Sequence, residues 1–88
     1  MSKIKTYKPN NTARTQAMLF TEENIPAATE WAGDKLDPPN PRTPGWRVHT
    51  LEGWLNIPFG HYLVRGTRGE FYPVAPEVMR VRWVEVKE

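Results

Sequence analysis

The sequence contains no cysteine and a single serine, Ser2. The first absence removes disulfide scaffolds, thiolate zinc sites and thiol nucleophiles together. The second leaves serine-nucleophile chemistry without a residue in the body of the chain. Histidine is nearly as scarce: His49 and His61 show no H-x-x-x-H or H-x-x-E-H spacing, and a metal would need Glu52 and Glu70 to complete its ligands. His49 therefore reads as an exposed strand residue and His61 as a turn-adjacent one. No run approaches the roughly 18–20 apolar residues that span a bilayer, and Met1–Lys8 lacks the apolar stretch of a secretory signal. These absences lead to the expectation of a cytoplasmic chain with no membrane contact.

The remaining routes to catalysis are equally thin. Glu52 and Glu70 each lie beside a glycine at a strand turn and could be paired as hydrolase carboxylates, but so small a fold rarely supplies a pocket of about 300 Å³. A backbone hydrogen bond within a hairpin is the simpler use of Glu70. Gly66-x-x-Gly69 connects strands rather than opening a helix, so it is not a phosphate loop. The expectation is a protein that is not an enzyme and holds no cofactor and no metal.

What is present is enough to fold. The chain has 88 residues, of which 39% are hydrophobic, with four tryptophans and a net charge of +2. Those numbers predict one domain over 13–88 that buries about 60–65% of its unfolded surface. Lys3, Lys5, Lys8 and Arg14 precede the first acid, Glu22, so 1–12 reads as a loosely attached basic arm.

Alternation predicts a first strand over Ala13 to Phe20. The helix that follows has Ile25, Ala28, Trp31 and Ala32 on one face, starts at Asn24 or Thr21 to accommodate Pro26, and ends at Gly33. Trp31 is the expected anchor onto a sheet. Pro38, Pro39, Pro41 and Pro44 make 34–45 an extended loop. Short strands separated by turns follow: Trp46–Thr50, Trp54–Ile57, His61–Arg65 and Glu70–Tyr72, with one helical turn near Pro76 and a closing strand over Met79 to Val86. The predicted architecture is α+β, a small antiparallel, partly rolled sheet of about five strands with one helix packed on a face.

The feature with functional colour is basic and aromatic. Arg65, Arg68, Arg80 and Arg82 interleave with Tyr62, Phe71, Tyr72 and Trp83 on strands expected to be neighbours, with Glu70 among them and with Arg80 and Arg82 pointing to one face of their strand. Arginine and stacking rings on a sheet can hold single-stranded nucleic acid, whereas the interspersed acids fit a solvated face. A third reading places Tyr62, Arg65, Glu70 and Tyr72 around a small ligand such as a nucleotide, in a cleft between subunits. Exposed strand edges and the tryptophans also suggest a homodimer.

Thr50-Leu51-Glu52-Gly53, Gly60-His61-Tyr62-Leu63-Val64-Arg65-Gly66 and Gly69-Glu70-Phe71-Tyr72-Pro73-Val74 together resemble a family of small proteins of tailed bacteriophages and prophages. In that family the pattern runs T-L-E-G, G-D-Y-L-V-R-G, G-E-F-Y-P. The likeness covers about Ala13 to Val86, and the chain departs from it in having His61 where an acid is usual and a longer proline loop. The resemblance implies a phage origin and a life in the host bacterial cytoplasm, but no assigned biochemical activity. With no catalytic constellation, the expected role is that of an accessory protein binding a host or phage protein.

Overall fold

The computed structural model describes residues 3–9 and 15–85. Its elements are β1 (Lys5–Pro9), β2 (Thr15–Leu19), α1 (Ile25–Ala32), β3 (Leu36–Asp37), β4 (Arg47–Thr50), β5 (Gly53–Asn56), β6 (Tyr62–Arg65), β7 (Phe71–Val74), α2 (Pro76–Arg82) and β8 (Trp83–Glu85). The strands form two antiparallel sheets, one ordered β7-β6-β2-β1-β8 and the other β3-β4-β5. The α+β class is as the sequence predicts. A single sheet with one helix is not: among the described residues eight strands divide between two sheets, and a second helix is present.

The larger sheet is buried on both faces because side chains alternate along each strand. On one face Met18, Leu63 and Phe71 join Ala28 and Ala32 of α1 and Leu36 and Val48 of the smaller sheet in the main core. Trp31 reaches this core edge-on to Phe71, ring centroids 5.1 Å apart, so α1 is anchored as expected. On the opposite face Ala17, Val64 and Val74 pack with Met79 of α2. The paired strands β2 and β6 thus feed two cores at once, and burial of each such large side chain contributes about 1.5–3 kcal/mol.

Both proposed starts of the helix are used. Thr21 caps a 3-10 turn over Glu22–Asn24, its hydroxyl accepting the Asn24 N–H at 3.3 Å, and Asn24 then stands at the N-cap of α1 with Pro26 in the first turn. Gly33 ends α1 at φ 59°, a left-handed conformation that favours glycine.

Three segments depart from expectation. The basic arm is strand over Lys5–Pro9, held between β2 and β8, while the rest of 1–12, apart from residues 3 and 4, lies outside the described residues. The proline loop is shorter than 34–45: its first residues form a 3-10 turn over Gly33–Lys35 and β3. What remains is closed by Asn40, whose Oδ1 accepts the N–H groups of Arg42 (2.9 Å) and Thr43 (3.1 Å). The closing strand expected over Met79 to Val86 begins instead as helix, α2 running to Arg82, because Met79 has an apolar face to reach and Pro76 suits a first helical position. Trp83–Glu85 is strand β8, as expected, and Val86 lies outside the described residues.

Candidate functional site

The residues singled out by sequence do not assemble into one surface. Tyr62 and Tyr72 lie on the α2 side of the larger sheet, half-buried, with Tyr62 edge-on to Tyr7 at 6.2 Å. Arg65 is opposite Phe71 and on the other face. Arg68 is in the β6–β7 turn, where its backbone N–H donates to Glu70 Oε1 at 2.9 Å. Arg80 and Arg82 are exposed on a helix. At about 100° per residue their directions differ by roughly 200°, so the expectation that a strand aims them at one face is overturned. Trp83 is in β8, and its side chain lies outside the described part.

Nor do Tyr62, Arg65, Glu70 and Tyr72 share a cleft within one chain. Tyr62 borders a groove of about 250 Å³ with Lys3 and Lys5. Arg65 borders a polar one of about 300 Å³. Glu70 and Tyr72 border a third of about 330 Å³, floored by Leu51, Leu55 and Phe71. Glu52 stands at the rim of this third groove, so the fold does bring the two carboxylates to one depression. Burial, and secondarily the Glu70 carboxylate, raise the Tyr72 pKa above its ordinary value. Among the described residues no three histidines or acids gather to hold a metal, and no helix is long and apolar enough to cross a membrane.

The glycine-bearing turn motifs have structural work. Thr50 Oγ1 donates to Gly53 O at 2.8 Å and accepts the Glu52 N–H at 3.0 Å, which locks the two-residue turn Leu51-Glu52. Gly69 turns at φ 82°. Gly60 donates its N–H to Phe20 O at 2.8 Å, and Phe20 donates in turn to His61 O at 2.8 Å, tying the β6 entry to the end of β2.

The locked turn creates a surface that the sequence reading did not single out. It sets His49 opposite Trp54 and Arg47 opposite Asn56, with Arg47 also opposite Asp37 of β3. Val48 and Thr50 point inward and are buried, so Asp37, Arg47, His49, Trp54 and Asn56 form the outer face of the smaller sheet. There the Trp54 ring is 42% exposed, the His49 ring tilts over it at 4.9 Å, and the Arg47 guanidinium stands 5.1 Å from its centroid. Arg47 Nη2 also donates to Asp37 Oδ2 at 2.5 Å, so its charge is locally balanced. The signal was present in register arithmetic: a two-residue hairpin between Thr50 and Gly53 places 49 against 54.

No protein-family model, curated protein or solved structure matches the chain.

Proposed function

We propose that this is a non-enzymatic accessory protein of bacteriophage origin that works in the host cytoplasm by binding a host or phage protein through the outer face of the β4–β5 hairpin. The observation that carries the reading is Trp54, a large ring held 42% exposed between His49 and Arg47 on a rigid two-stranded turn. Tryptophan and arginine are the residues that dominate protein interfaces, and a preordered ring loses little entropy on docking. The phage origin rests on the turn motifs, which this fold uses as punctuation.

The same face argues against nucleic acid as the partner. Affinity for a phosphate backbone grows with the number of free cations. Arg47 is balanced by Asp37, and the other arginines among the described residues are dispersed, Arg42 in the proline loop, Arg65 on a sheet face, Arg68 in a turn, and Arg80 and Arg82 on a helix.

The test compares immobilised wild type with Trp54→Ala in bacterial lysate, after circular dichroism has shown both to be folded. A saturable protein partner retained by wild type and lost by Trp54→Ala is the expected result. Equal retention by both overturns the assignment of the face, and nucleic acid recovered with a steep salt dependence overturns the class of partner.

A further inference from the structure

We propose that the free edge of β5 pairs antiparallel with the β5 edge of a second copy of this chain, about a two-fold axis through Leu55. The starting point is the contrast between sheet edges. Unpaired strand edges recruit other strands unless they are shortened, charged or interrupted by proline. Edge strand β3 has two residues and runs into Pro38-Pro39. Edge strand β7 contains Pro73. Because Gly66 N–H donates to Glu70 O at 2.7 Å, alternation turns position 73 outward, so the proline removes an outward donor there. The β5 edge, Gly53-Trp54-Leu55-Asn56, has four residues, no proline and no charge.

The register follows from the hydrogen bonds of the hairpin. Ile57 N–H donates to Trp46 O at 2.9 Å, so 46/57, 48/55 and 50/53 are the bonded pairs with β4. Trp54 and Asn56 therefore turn their N–H and C=O groups to the free edge. An antiparallel copy satisfies all four groups of each strand in one register, Trp54 against Asn56 of the second copy and the reverse. That register sets Leu55 against itself on the axis, at a non-bonded position where the side chains approach most closely.

Two observations on side chains agree with it. Leu55 is 41% exposed and borders the apolar-floored groove with Leu51 and Phe71, so a second Leu55 would extend over that floor. No like charges meet across the pair. Trp54 stays on the outer face, leaving the proposed partner surface intact and doubled.

Sedimentation of wild type from micromolar to millimolar concentration should show the mass rising to twice the 10.2 kDa of the chain, and Leu55→Lys should hold it at the single-chain mass by placing like charges on the axis. The chain has no cysteine, so Leu55→Cys carries one thiol and should form a disulfide-linked dimer on mild oxidation. Val81→Cys, on a 73% exposed residue of α2, should cross-link far more slowly. A single-chain mass throughout, or cross-linking no faster at 55 than at 81, overturns the proposal. Neither readout depends on the lysate partner of Trp54.

Discussion

The β6–β7 turn supports a prediction with a change of sign. Gly66 is not in a left-handed conformation, so nothing in its backbone requires glycine. Its constraint is steric: a Cβ at 66 would run into both carboxylate oxygens and the carboxyl carbon of Glu70. That carboxylate is held there because its Oε1 accepts the Arg68 N–H. In Gly66→Ala the flexible carboxylate must swing away, giving up a charge-assisted hydrogen bond of about 1.5–3 kcal/mol, discounted to roughly 1–2 for a solvent-exposed turn. In a Glu70→Ala background the obstacle is gone, and the same substitution gains about 0.4–1 kcal/mol by restricting the unfolded chain. Gly66→Ala should thus destabilise the wild type and stabilise the Glu70→Ala protein. Urea midpoints at unchanged slope measure both. Independent sites add to within about 0.5 kcal/mol, so an equal cost of Gly66→Ala in the two backgrounds would refute the steric account.

Phe20 is fully buried and touches Trp46 and Phe59, with ring centroids at 5.7 and 5.4 Å. Phe20→Ala should cost about 3–5 kcal/mol, a large part of the ~5–10 expected for such a domain, and a loss below about 1 kcal/mol in a urea melt would contradict the core assignment. Thr15 Oγ1 is buried on β2 without a hydrogen-bond partner, so Thr15→Val should be neutral or raise the melting temperature by a few degrees, and a clear fall would mean the hydroxyl is bonded. Tyr72 has its pKa raised by burial and then by Glu70. The neutral phenol is therefore favoured in the folded state: the contribution is fully present below the ordinary value of about 10 and is lost as pH rises through the folded value. Phenolate titration should show a late component that disappears in Tyr72→Phe and titrates earlier in Glu70→Gln, and unchanged titration in Glu70→Gln would exclude the carboxylate as a cause.

Much of the fold was legible where local chemistry decides it. The β2 core, the Gly33 stop, the Thr21 and Asn24 caps and the hairpin turns all follow from residue types at fixed offsets. What was not legible is decided by partners distant in sequence. Lys5–Pro9 has one apolar ring, Tyr7, and is strand because β2 and β8 flank it. Met79 and Val81 alternate with Arg80 and Arg82 in the manner of a strand, yet Pro76–Arg82 becomes helix so that Met79 can cover Ala17, Val64 and Val74. The candidate site was misplaced for the same reason, since Arg80 and Arg82 were assigned a common face from the period of a strand. Glu70 fared better because its Arg68 bond is local, whereas Trp54, His49 and Arg47 needed the hairpin register.

That register also explains why Trp54 is outside at all. A domain of this size has few large side chains to spare, and full burial of a tryptophan would add a few kcal/mol. A slip of one residue in β5 would turn Trp54 inward and Leu55 outward. The slip is prevented by the turn: Thr50 is tied to Gly53 O and Glu52 N–H, and Gly53 takes φ 108°, which other residues rarely adopt. The main core is then completed by smaller side chains, Ala28, Ala32 and Val48, while the ring stays in solvent between His49 and Arg47. A hairpin that fixes its largest apolar ring outward, through three side-chain and backbone constraints, has stability to gain from burying that ring against something else.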